Sequence, residues 1–293
     1  MTVLALTSAK GAPGVSVAAL AMTLLWPRPA LLAECDPAGG SSVLAGYLRG
    51  AIEHTRGLLP LLLALRHDTL EQALWAQTVP LTGDPRAASA GAGDRWLLPG
   101  LYDAAQAPSC TALWGPLSSL LAGLDRTGTD VIIDAGRLGA GYAPTVLLRQ
   151  ADLVLLVMGT NLPAVAAVKA RLNALREDLS VTSATGHLDG QLTNLGLLLV
   201  GDGRPYTAKE IAGACGVPVV ASLAWDPASA EVLAAGATPG RRFDSSALVR
   251  STRAAISASR ELIRGRRDRL TPRTPARAAS TEHLLHQEAA NDA

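Results

Sequence analysis

The residues best equipped for chemistry lie near the start of the chain, in Ser8-Ala9-Lys10-Gly11-Ala12-Pro13-Gly14-Val15-Ser16-Val17. A short apolar run at 3–7 feeds this stretch, and a helix-length segment at 17–26 follows until Pro27 and Pro29 stop it. Strand, small-residue loop, helix is the context that a phosphate cradle requires. Backbone N–H groups turn inward around an anion, and the positive end of the helix faces the same point. Gly11 and Gly14 supply torsions that other residues avoid, and Pro13 stiffens the loop between them. Ser16 brings a hydroxyl to the place where a phosphate-bound Mg2+ takes a ligand. A tight turn with no ligand fits the same residues, so the loop alone does not decide.

Two carboxylates extend the pattern. Asp36 follows a second apolar run, 30–33, in Glu34-Cys35-Asp36-Pro37, and Asp134 ends the run 130–134, DVIID. A carboxylate at the C-terminal end of a buried parallel strand points to the crevice where ligands sit, and there it would hold Mg2+ through water. An Asp-Pro turn is also ordinary loop chemistry, and Asp134 also reads as a cap on the next loop. Glu34 reads as structural. Arg137, three residues after Asp134, is close enough by spacing to meet a phosphate, or else is a solvated loop residue.

These groups need a scaffold, and the rest of the sequence supplies one. Further apolar runs at 96–98, 153–158, 195–200 and 217–223 read as strands. Helical patterns lie near 42–49, 57–65, 69–76, 112–126, 163–178 and 245–264, and 82–94 reads as an exposed loop. Near-continuous apolar strands alternating with helices predict an α/β fold: a doubly wound, mostly parallel sheet with helices on both faces. One domain over 1–264 and a flexible, Arg-containing tail over 265–293 follow from the change in composition at Gly265.

In the order and spacing of these motifs the chain resembles the ParA/MinD family of P-loop ATPases. The loop is similar to that family's deviant Walker A motif in a degenerate, CpaE/TadZ-like form. The resemblance implies the P-loop NTPase fold, with ATP and Mg2+ as cofactors. Gly11, Ala12, Pro13, Gly14, Val15, Ser16 and Val17 would surround the phosphates. Lys10 falls on the signature lysine that reaches the partner's phosphates in a nucleotide-sandwich homodimer. Asp36 matches an aspartate that positions the attacking water, and Ser16, Asp36 and Asp134 match the Mg2+ site. Val15 departs from the pattern, because it stands where the family has the lysine that binds the β- and γ-phosphates of its own subunit. Losing such a charged hydrogen bond costs about 1.5–3 kcal/mol, roughly ten- to hundred-fold in affinity, which binding survives more readily than turnover. Lys10 turned inward, or Arg137, would compensate. Near the base, Gly201-Asp202 replaces the family's Asn, and Asp226-Pro227 only loosely matches its Pro-x-Asp turn, which makes Asp226 a cofactor-binding candidate.

The implied activity is a nucleotide-dependent switch with slow hydrolysis. Such a switch positions or partitions a chromosome, a plasmid or pilus and secretion machinery together with a partner protein. The alternative is a pseudo-ATPase scaffold with the same fold and no turnover. An iron–sulfur or metal carrier would need paired cysteines, and Cys35, Cys110 and Cys215 are scattered. A net charge of +1 gives no bulk attraction to nucleic acid or anionic lipid. Arg250, Arg253, Arg260, Arg264, Arg266, Arg267 and Arg269 nonetheless offer DNA phosphates a surface, or form a solvated helix face. That segment lacks Trp, Phe and a strong apolar stripe, which argues against membrane targeting. The most apolar run, 58–65, contains Pro60 and is too short to span a bilayer, so a cytoplasmic protein is expected.

Overall fold

The structure, a computed structural model, describes residues 2–10, 14–65, 70–81, 94–179 and 194–270. Three of the expectations above fall wholly or partly outside them: Gly11, Ala12 and Pro13 of the loop, most of the 82–94 segment, and residues 271–293 of the tail. Eight strands form one sheet in the order β3-β4-β2-β5-β1-β6-β7-β8. They are β1 (Val3–Ser8), β2 (Ala30–Glu34), β3 (Val79–Pro80), β4 (Arg95–Leu98), β5 (Asp130–Arg137), β6 (Leu153–Gly159), β7 (Leu195–Val200) and β8 (Val219–Leu223). All neighbours run parallel except the short pair β3–β4. Strand β1 lies between β5 and β6, at the point where the winding reverses, and ligands of such sheets bind outside the C-terminal ends of the strands there.

Both sheet faces are covered, which is why the strands read as continuous apolar runs rather than alternating ones. Because strand side chains alternate, Leu4, Leu6, Leu32, Ile132 and Leu155 face one core. Helices α1 (Val15–Leu25), α9 (Pro227–Ala234) and α10 (Ala247–Leu270) close that side. Val3, Ala5, Leu31, Ile133, Val154 and Leu156 face the other. That core is closed mainly by α5 (Trp114–Gly123), α6 (Thr145–Gln150), α7 (Leu162–Leu179) and α8 (Ala208–Cys215), with α2 (Leu58–Ala64), α3 (Leu70–Gln77) and α4 (Ala107–Cys110) at its edge. The fold expected from the sequence is the fold observed.

Some boundaries move. Helix α1 begins at Val15, two residues before the apolar periodicity suggests, so Ser16 belongs to its first turn. Residues 43–47 form a π-helical turn, and the 112–126 segment divides into short 3-10 turns around α5. Helix α10 continues through Leu270, so the change in composition at Gly265 does not end it. The extra turn is anchored: Arg266 donates to the Asp152 carbonyl at 2.8 Å, and Arg267 pairs with the Asp152 carboxylate at 2.7 Å. The far end of α1 is also fixed, because the buried Arg95 guanidinium donates to the carbonyls of Leu24, Trp26 and Arg28 that the finished helix leaves unpaired.

Candidate functional site

Parallel strands deliver all their C-terminal ends to one edge of the molecule, and the residues singled out above meet there. Gly14 sits just before α1 with φ 107° and ψ 2°, a left-handed conformation that glycine adopts without strain, and its carbonyl accepts the first helical bond from Ala18 at 2.7 Å. That turn aims the start of α1 at the end of β5. The Ser16 hydroxyl lies close to the buried Asp134 carboxylate, which accepts from the Gly136 N–H at 3.0 Å. Burial pushes Asp134 above the ordinary carboxylate range; the Ser16 hydroxyl and the Gly136 N–H oppose the shift, and the neighbouring Asp36 charge adds to it.

Asp36 reaches this point because of a glycine. Its carboxylate lies against Gly136, where a Cβ would overlap it, and Gly136 holds a φ of 62°. The same carboxylate accepts from the Ala38 N–H at 2.9 Å, and the Thr7 hydroxyl donates to the Gly136 carbonyl at 3.0 Å. Beneath, Cys35 N–H bonds the Asp134 carbonyl at 2.7 Å, which locks the end of β2 to β5. Sequence reasoning missed Gly136; its only signal is the D-A-G-R context two residues past Asp134.

Glu34 is buried behind this pair. The Ser41 hydroxyl donates to it at 2.5 Å, and the Gly100 N–H does so at 3.3 Å. Burial drives its pKa from 4.5 to about 7, the Ser41 bond working against the shift and the Asp134 charge with it. The structural role read for Glu34 agrees with these contacts.

The donor set at the crevice suits Mg2+. Two carboxylates, Asp36 and Asp134, and one hydroxyl, Ser16, converge, and the repulsion between the acids is relieved by a divalent cation. No group of three or more His, Cys, Asp or Glu side chains able to hold a metal occurs among the described residues. The buried Ser8 hydroxyl, at the mouth of β1, also finds no partner among the described residues.

The remaining candidates divide. Val15 is buried within the α1 core and directs no group to the crevice, and Val17 packs half-buried on the same core. Arg137 is exposed at the last position of β5, paired in register with Ser8. Lys10 is exposed and edges a cleft of about 420 Å³ that runs over the ends of β6 and β7. Asp226 does not line that cleft. Its carboxylate caps α9, accepting from the Ser229 N–H at 3.2 Å and the Ser229 hydroxyl at 2.8 Å; burial raises its pKa, but these bonds prevail and hold it low. Two residues that the sequence does not single out, Arg204 and Trp225, do line it, each close to a motif position, Asp202 and Asp226. Trp225 stands out as an aromatic in a chain with only 3% of them. Of the C-terminal arginines, Arg250 and Arg253 donate to the carbonyls of Ser245 and Asp244, and Arg266 and Arg267 hold Asp152.

Known structures share this fold. A ParA family ATPase from Chlorobium tepidum superposes with a TM-score of 0.62 at 16% identity, over 88% of this chain and 98% of that one. A Cyanothece McdA(D38A)–ATP complex gives 0.60 at 15% identity, over 90% and 96%. MinD from Pyrococcus horikoshii complexed with Mg-ADP gives 0.57 at 14% identity, over 87% and 94%. The fold is that of the ParA/MinD ATPases. No protein-family model matches the sequence, and no curated protein matches it either. In this chain Ser16, Asp36 and Asp134 gather where α1 begins and β5 ends. No helix among the described residues is long and apolar enough to cross a membrane.

Proposed function

We propose that this chain is a nucleotide-dependent switch of the ParA/MinD kind, binding ATP with Mg2+ and hydrolysing it slowly. The observation that carries this reading is the Ser16 hydroxyl set close to the Asp134 carboxylate with Asp36 beside them, at the start of α1 and the end of β5. The N-terminus of α1 and the main-chain amides of the loop would hold the phosphates. Ser16, Asp36 and Asp134 would hold Mg2+, which neutralises charge on the β- and γ-phosphate oxygens. Asp36 also stands where a carboxylate can orient a water. Two proteins of similar fold, one complexed with Mg-ADP and one with ATP, support the choice of ligand.

Lys10 and Arg137, both exposed at this edge, are our candidates for the cation that Val15 does not provide. A nucleotide-dependent homodimer, a cytoplasmic location, a protein partner and a positioning or partitioning role, the pilus-associated form included, belong to this reading. A complex of MinC with MinD from Aquifex aeolicus, of similar fold, is consistent with a protein partner. DNA contact, if made through α10, would rest on the exposed Arg264 and on side chains that now hold Ser245 and Asp244.

One observation favours a second reading, a scaffold without turnover: Val15 is buried in apolar core, so the strongest phosphate-binding cation of such loops has no substitute at its own position. Phosphate release from ATP by the full chain, alongside Val15→Lys, separates the two. Slow release by the wild type that depends on Asp36 supports the switch. Release appearing only in Val15→Lys supports the scaffold, and an absence of ATP binding by the wild type would sink both.

A further inference from the structure

Asp36 rides on a turn that the chain builds with little support of its own. Leaving β2, residues 35–40 pass through Gly39 and Gly40, both left-handed at φ 71° and 73°. A Cβ on Gly39 would stand 2.8 Å from the Ala104 nitrogen, so the turn lies flush against the segment that precedes α4. Among the described residues, the Ala38 N–H bonds the Asp36 carboxylate, the Gly39 N–H bonds the Asp36 carbonyl at 3.3 Å, and the Gly40 N–H bonds the Leu101 carbonyl at 2.8 Å. Only the last of these reaches outside the turn. Consecutive glycines with so few external bonds leave the carboxylate they follow poorly fixed, unless another group anchors the far end of the turn.

Glu34, the last residue of β2, is that anchor. One of its carboxylate oxygens accepts from the Ser41 hydroxyl at 2.5 Å and the Gly100 N–H at 3.3 Å, and the other accepts from the Val43 N–H at 3.4 Å. The Ser41 oxygen in turn accepts from the Leu44 N–H at 3.1 Å. The residue before the turn is thereby joined to the residue after it, seven positions on, and both are joined to the segment that follows β4. Glu34 and Ser41 are 7% and 6% exposed, so water competes little for these bonds. Glu34 also stands in register with Asp134 across β2 and β5, which sets the anchor and the second acid on one rigid frame. Both Glu34 oxygens are engaged inside the protein, so any effect on a ligand has to pass through the turn.

We infer that Glu34 and Ser41 are positioning residues for Asp36: their hydrogen bond closes the turn and holds the Asp36 carboxylate over Gly136, where it can share a cation with Asp134. The inference rests on the phosphate-site reading above and adds the device that keeps one of its two acids in place. Groups that orient a metal-binding carboxylate act on metal affinity without touching the metal.

Calorimetric titration of the full chain with ATP, in Mg2+ and in chelator, tests it on the wild type, Ser41→Ala, Asp36→Ala and the double variant. We expect Mg2+ to tighten ATP binding to the wild type by at least about tenfold, and Ser41→Ala to cut that gain to about threefold or less while affinity in chelator stays within about twofold. Once Asp36→Ala has removed the acid, adding Ser41→Ala should lower the gain no further, because the serine works through it. Glu34→Gln, whose amide oxygen can keep the Ser41 and Gly100 donors, should hold the gain within about twofold of the wild type. Ser41→Ala with the wild-type gain overturns the inference. So does a further fall in the double variant, or a loss of the same size in chelator, since either gives Ser41 a role apart from Asp36. A wild type that binds ATP without any gain from Mg2+ removes the metal site and the inference, and one that binds no ATP removes the phosphate site as well. Hydrogen exchange of the ligand-free wild type needs no variant to fold: the Val43 and Leu44 amides should be protected at least about a hundredfold, and unprotected amides there would refute the anchor.

Discussion

Strand β5 carries one buried aspartate toward each end, and the two live differently. Asp130, at the edge where the strands begin, accepts from the Thr2 N–H at 2.6 Å and from the Trp26 indole N–H at 2.7 Å, with the Arg28 guanidinium 3.7 Å away. Asp134, at the opposite edge, has one amide as partner, a hydroxyl close by, no cation in contact among the described residues, and a second carboxylate beside it. The first is a joint: it ties the chain start, the end of α1 and β5 together. The second is poised for a positive charge that the residues around it do not supply. Burial is nearly the same at both, so what separates a structural acid from a functional one here is the completeness of its partners.

Removing the joint should have the largest effect. Asp130→Ala strands the Trp26 and Thr2 N–H donors in the interior, and should cost about 3–5 kcal/mol of stability, read as a lower midpoint in urea denaturation. A midpoint within error of the wild type would show that Asp130 is not the tie described.

The other edge should respond to pH. Glu34 has a folded-state pKa raised above its unfolded value, from 4.5 to about 7. For a group shifted in that direction, its contribution to stability is fully present below the unfolded pKa and is lost as pH rises through the folded one. Asp134, shifted the same way, adds to the trend. Without Mg2+, the protein should therefore lose stability between about pH 4.5 and pH 7, by on the order of 3 kcal/mol for Glu34. Glu34→Gln should flatten that slope, and denaturation curves at several pH values would reveal it; an unchanged slope in the variant would assign the pH dependence elsewhere.

The smallest effect is expected at Asp134 itself. Asp134→Asn replaces a poorly compensated buried charge with a neutral group of the same shape, and should leave the Mg2+-free protein as stable as the wild type or about 1 kcal/mol more so. A loss resembling that of Asp130→Ala would mean that both ends of β5 are joints.

How much of this is legible in the residue string follows from how local each feature is. Continuous apolar runs such as 153–158 and 195–200 announce strands buried on both faces, and the sheet follows from their alternation with helices. The run at 96–98 marks β4, but nothing in the sequence marks its antiparallel partner β3, because β3 is two residues long and includes Pro80, leaving no periodicity to detect. Composition misplaces the end of α10 because its last turn is held by Arg266 and Arg267 on Asp152, a contact between residues more than a hundred positions apart. At the site, the types Ser16, Asp36 and Asp134 are legible from spacing. Their meeting is not, since it needs β2 in register with β5, and Gly136 small enough to admit Asp36. Asp226 shows the converse: its sequence context suggests a ligand, yet a helix cap three residues away uses its oxygens.

The most direct test of the poised carboxylate is the Mg2+ dependence of ATP binding, measured by equilibrium dialysis with Mg2+ and with chelator, for the wild type and for Asp134→Asn. We predict that Mg2+ tightens ATP binding to the wild type by at least about tenfold and makes no difference to the variant. The same Mg2+ dependence in both proteins, or none in the wild type, would contradict the assignment of Asp134 to a metal–phosphate site.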